Sequence, residues 1–129
     1  MKSTIRMVVA VVMGLAGAGA AWGAESADKV GPEVYKRILD NNRVTVLEGH
    51  FAPGAKVGMH THPDHVAYIV SNEPAKLRLT YPDGTTKEID GKPGEPFWIP
   101  AETHASENIG TTDVKILVVE LKEPPTHKP

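Results

Sequence analysis

Every one of the eleven prolines lies after residue 31, and from Pro53 to Pro100 they recur at intervals of about ten residues or fewer. Proline lacks a backbone N–H and fixes φ, so no helix of ordinary length fits between such points. Short strands do fit. Val44 to Leu47 is β-branched and apolar, and Pro53-Gly54 closes it with a turn. Val66 to Val70 is apolar enough to read as a strand with both faces partly covered. Lys76 to Tyr81 alternates strictly, so Leu77, Leu79 and Tyr81 share one face. Pro82-Asp83-Gly84 then turns the chain, because proline sets the first corner and glycine accepts positive φ. Thr85 to Ile89 returns as the hairpin partner. Phe97 to Ile99 and Val114 to Leu121 complete the set. Short strands with turn signals between them predict an all-β sandwich or barrel. The exception lies upstream. Pro32-Glu33 opens a stretch with Val34, Tyr35, Ile38 and Leu39 at helical spacing, which predicts a short helix ending at Asp40-Asn41-Asn42. Residues 24–31 read as a polar arm, and 122–129 as a flexible tail.

The first 23 residues obey different rules. They hold two cations, Lys2 and Arg6, no acid, and an uncharged run of Ala, Val, Gly, Met and one Leu, Leu15, from Met7 to Ala21. This is the layout of a secretory signal peptide, with small residues placed for cleavage after Gly23 or after Ala20. The run is short for a membrane span, and no cysteine is present for a lipid anchor. The expectation is an exported protein, periplasmic or secreted, with no stable membrane anchor after cleavage. The remaining 106 residues carry 12 basic and 16 acidic side chains. An acidic balance argues against nucleic-acid binding. The absence of cysteine excludes disulfides, thiolate metal sites and cysteine nucleophiles. No Gly-rich phosphate loop or Gly-x-Ser-x-Gly elbow occurs, so nucleotide binding and serine hydrolysis have no support.

Chemistry concentrates in the histidines. His60, His62 and His65 fall within six residues. On a strand, residues two apart project to one face, so His60 and His62 point together, either inward as a ligand pair or outward to solvent. Pro63-Asp64 breaks the strand, which frees His65 from that alternation and lets it swing to the same point. Three neutral imidazoles buried together would each need a partner, and a first-row transition metal supplies one. His50 and His127 sit at a strand end and in the tail, where they read as surface residues. Met59, Tyr68, Phe97 and Trp98 read as packing residues or as walls of a pocket. Glu102 and Glu107 flank His104, as partners of a ligand, an acid/base group or solvated carboxylates.

Two motifs in this order resemble those of the cupins, small jelly-roll barrels. The first runs glycine, five residues, His-x-His, three or four residues, glutamate, six residues, glycine. Gly54 and His60-Thr61-His62 match its start. Counted forward, the glutamate falls at Val66 or Ala67; counted back from Asn72, which replaces the closing glycine, it falls at His65. The segment is one residue short, with histidine in place of the carboxylate. The second motif is matched by Gly94 to Pro100 and by His104 to Asn108, with Ala101-Glu102-Thr103 lacking a glycine and one residue short. The resemblance covers Arg43 to Leu121 and implies a jelly-roll β-barrel over 43–121. It also implies His60, His62 and His104 as metal ligands, with His65 as the fourth. Four nitrogen donors suit a divalent transition metal (Fe, Zn, Ni, Cu or Mn) rather than Mg²⁺ or Ca²⁺. The resemblance further implies a metal-dependent oxygenase or isomerase acting on a small anionic organic molecule, or a non-catalytic module binding metal or small ligand, and a homodimer. A barrel that has lost its metal is the third reading.

Overall fold

The computed structural model describes residues 24–123. The expected leader and the last six residues of the tail lie outside that range. Nine strands follow one helical turn: α1 (Ala27–Val30), then β1 (Tyr35–Asp40), β2 (Val44–Phe51), β3 (Lys56–His62), β4 (His65–Ile69), β5 (Ala75–Thr80), β6 (Thr86–Gly91), β7 (Pro96–Ile99), β8 (Glu102–Asn108) and β9 (Val114–Leu121). They form two antiparallel sheets, one of five strands in the order β1-β2-β9-β4-β7 and one of four in the order β3-β8-β5-β6. Consecutive strands β3 and β4 lie in different sheets, as do β6 and β7, so the chain winds the sheets into one jelly-roll sandwich. The predicted all-β fold is the observed one.

Alternation places the core. Leu47 of β2, Ala67 and Ile69 of β4, and Ile116 and Val118 of β9 turn inward from one sheet, and Val57 and Leu77 from the other. Phe51 and Tyr35 meet edge to face at a centroid distance of 5.4 Å and fill one end. The hairpin read from Pro82-Asp83-Gly84 is present: Gly84 has φ +84°, and the Asp83 carboxylate accepts from the Thr85 backbone N–H at 2.9 Å. β5 and β6 pair from Ala75↔Gly91 to Thr80↔Thr86.

The short N-terminal helix is also present, but in a different place from the one expected. It is the turn Ala27–Val30, inside the stretch read as an arm, and Ala27 is fully buried. The stretch read as helix is strand β1. Val34 and Tyr35 are buried, while Ile38 and Leu39 are about half exposed. Four apolar residues at that spacing satisfy a helix face, yet β2 offers an open strand edge, and β1 takes it in register from Tyr35↔Gly49 to Asp40↔Thr45 with a bulge at Ile38. Long-range pairing overrides the local period.

Candidate metal centre

Strands β3 and β8 lie side by side with His60 directly opposite His104. His62 is two residues on from His60 and shares its face. Of the two orientations that the spacing left open, the structure has the inward one, and His60, His62 and His104 are all buried. One nitrogen of each lies within 4.8 Å of the other two. The turn at Pro63-Asp64 is held by the Asp64 carboxylate, which accepts the Ala101 N–H at 2.8 Å, and it carries the chain across to the other sheet. There His65 opens β4, buried, with its ring centroid 4.7 Å from that of His62. His65 stands against the triad but is not one of its three members.

The ring nitrogens are sorted by their partners. Nδ1–H of His60 donates to the Gly58 carbonyl at 2.7 Å, and Nδ1–H of His65 to the Pro63 carbonyl at 2.7 Å. Nδ1–H of His62 donates to a Glu120 carboxylate oxygen at 2.6 Å, and that of His104 to Glu102 at 2.9 Å. A carbonyl or carboxylate at Nδ1 demands the proton there, which leaves the lone pair on Nε2. His60 Nε2 is buried without any hydrogen-bond partner. Burial drives the His60 pKa down to about 4 and that of His104 to about 3, and it lowers His65 as well. Burial thus favours the neutral, ligating form of His60, His65 and His104. Acceptors at Nδ1 and converging Nε2 lone pairs are how a protein orients imidazoles around an ion. The residues present fit a divalent transition metal.

Glu120 was not singled out from the sequence. Its signal was there: on β9 the inward positions are Val114, Ile116 and Val118, and the next is Glu120, a buried acid in an apolar series. Its role depends on the pairing of β9 with β4, which places Glu120 opposite His65 and against His62. Of the two acids flanking His104, Glu102 is its hydrogen-bond partner, and burial raises its carboxyl above the usual range. Glu107 points outward and makes ion pairs with Lys56 and Arg78. His50 is exposed beside Asp113, and His127 lies outside the described residues.

A cavity of about 30 Å³ adjoins His62, His65 and His104, room for about one water. The Ser106 hydroxyl lines it, buried and without a partner. A second cavity of about 250 Å³, lined by Tyr81, Lys87, Trp98 and Glu102, opens between β6 and β7, the free edges of the two sheets. Leu79, Ile89, Phe97 and Ile99 line both spaces and form the partition between them. Phe97 is thus a wall residue and Trp98 lines the outer space, whereas Met59 and Tyr68 line neither.

No protein-family model matches the chain, and no curated protein does. Solved structures do. A cupin domain from Bordetella pertussis Tohama I is similar at TM-score 0.59 and 27% identity, over 78% of this chain and 97% of its own. A cupin superfamily protein from Desulfitobacterium hafniense is similar at TM-score 0.52 and 21% identity, over 70% of this chain and 77% of its own. A polyketide cyclase from Streptomyces resistomycificus is similar at TM-score 0.50 and 26% identity, over 70% and 66%. Two antiparallel sheets wound as a jelly roll, histidines gathered between them and these likenesses agree: the chain has the cupin fold.

Proposed function

We propose that this cupin-fold chain holds one divalent transition metal on His60, His62 and His104, with His65 as the fourth ligand, and uses it on a small organic molecule as an oxygenase or isomerase. The observation that carries the metal is His60 Nε2, a buried nitrogen without a partner among rings whose Nδ1 atoms are all engaged. An ion there supplies Lewis acidity at neutral pH. The protein's own groups do the rest. Glu120 and Glu102 keep His62 and His104 in the Nδ1–H tautomer. They also offset the positive charge that four neutral imidazoles would leave, which weakens the electrostatic case for an anionic substrate. Glu102 also lines the outer cavity, where its carboxylate can take a proton from a molecule arriving there. The apolar partition keeps bulk water from the rings.

The water-sized inner cavity favours a second reading, a non-catalytic module whose four-nitrogen shell binds metal alone. Coordination number separates the two. An open, exchangeable position in the X-ray absorption spectrum of the loaded protein supports the enzyme, and a closed tetrahedral nitrogen shell supports the module. Export through cleavage of residues 1–23 is part of the proposal, supported by the leader's composition; N-terminal sequencing of the protein recovered outside the cytoplasm tests it.

A further inference from the structure

The inward face of β8 carries His104, Ser106 and Asn108, and all three are buried. Two of them are accounted for. His104 Nδ1–H donates to Glu102, and its ring belongs to the triad. Asn108 donates to the Phe51 and Thr112 carbonyls and accepts the Gly110 N–H. Ser106 is different. It is 4% exposed, and its hydroxyl has no hydrogen-bond partner. Its cross-strand neighbours are Val57 on β3 and Leu79 on β5, both apolar. Alanine would sit there without cost, whereas an unpaired buried hydroxyl is destabilising. The cavity it lines, of about 30 Å³, is shared with His62, His65 and His104, and beyond those rings and Tyr35 the rest of the lining is apolar.

His60 Nε2 and the Ser106 hydroxyl, both buried and unpartnered, need different things. The imidazole nitrogen offers a lone pair, which an ion takes. The hydroxyl also has a proton to donate, and a cation accepts no hydrogen bond. Metal on the histidines therefore leaves Ser106 unsatisfied, and it consumes the ring lone pairs that could have served as acceptors. The missing partner is a molecule with a lone pair, small enough for the cavity.

We propose that Ser106 is a positioning residue that donates its hydroxyl proton to one water-sized ligand held beside the metal: water, or a two- or three-atom anion in its place. The proposal rests on the metal reading above and deepens it, since it reserves one position of the centre for a small exchangeable ligand. Size supports it, because the cavity has room for about one water. Charge supports it as well. A divalent ion on neutral imidazoles attracts an anion, and the apolar lining strengthens a hydrogen bond made there. Leu79, Ile89, Phe97 and Ile99 part this space from the outer cavity, so the small ligand and an organic molecule occupy separate spaces.

Co²⁺-loaded protein tests this, because the visible spectrum of Co²⁺ follows its coordination. Azide titrated into the wild type should shift the absorption bands to a saturable end point. Ser106→Ala should weaken azide binding about 10-fold or more, the loss of one hydrogen bond to a charged acceptor. Its Co²⁺ affinity by chelator competition should stay unchanged, a split that a merely structural role would not produce. A crystal structure of the azide-soaked Co²⁺ protein should place an azide nitrogen within about 3.2 Å of Ser106 Oγ, and it decides alone if Ser106→Ala fails to fold. A chain that takes up no Co²⁺ overturns the metal reading and this proposal together. A chain that binds Co²⁺ but ignores azide, or binds it equally well in Ser106→Ala, overturns this proposal and leaves metal binding standing.

Discussion

Replacing Glu120 by glutamine should weaken metal binding without weakening the metal-free fold. The side chain is buried, and its oxygen accepts the His62 Nδ1–H at 2.6 Å. Glutamine keeps the shape and a carbonyl acceptor but loses the negative charge. A hydrogen bond to a charged group is worth about 1.5–3 kcal/mol, and a neutral one about half that. The loss falls on the ligand's basicity and orientation, and loss of such a partner lowers metal affinity by about 10–100-fold, or about 1.4–2.7 kcal/mol. A buried carboxylate also pays a desolvation penalty in the apo protein, so its neutral isostere should hold stability level or raise it. The two effects have opposite signs, which a purely structural role would not produce. Zn²⁺ affinity measured by chelator competition, beside urea unfolding in excess EDTA, reads both. Unchanged zinc affinity with lowered apo stability would refute the argument and make Glu120 a packing residue.

Three further outcomes are expected. Metal-free protein should lose stability as pH falls from about 6.5 toward 4, because unfolded histidines take up protons there while buried His60 and His104 resist until about 4 and about 3. For His60 alone the shift corresponds to about 3 kcal/mol, and urea unfolding in EDTA at pH 7 and pH 4.5 would contradict it by showing equal stabilities. His65→Ala should retain metal on the remaining three histidines with affinity reduced about tenfold or more, whereas unchanged affinity by the same chelator assay removes His65 from the ligand set. Gly49→Ala should destabilise by about 1–3 kcal/mol, since a Cβ there would lie 2.7 Å from both Ile116 Cγ2 and Tyr35 Cε1. Tyr35 packs against the His60 and His62 rings, so zinc affinity should fall with it; a melting temperature within a degree of wild type would count against this packing.

What the sequence disclosed depended on the range of the interaction. The β5–β6 hairpin was legible because Pro82-Asp83-Gly84 and the alternation of Leu77, Leu79 and Tyr81 are local signals. That His60 and His62 share a face was legible for the same reason, strand alternation acting over three residues, whereas alternation alone left open which way that face points. β1 was not, because Val34, Tyr35, Ile38 and Leu39 suit either a helix face or an edge strand, and β2 decides between them from a distance. Glu120 was hidden differently. Its inward register was written in β9, but its partner lies 58 residues away on β3. The apolar run at Val66 to Val70 reads as a strand with both faces partly covered, and in the structure Ala67 and Ile69 are buried, Val66 is half-buried, and Tyr68 and Val70 are exposed.

Metal binding by His60, His62 and His104 is tested most directly by the metal content of the protein purified without a histidine tag. Elemental analysis after dialysis against buffer free of chelator should find one divalent transition metal ion per chain, and none in His60→Ala or His104→Ala. A wild type that emerges empty, and takes up no zinc, iron, nickel, copper or manganese in equilibrium dialysis, would contradict it.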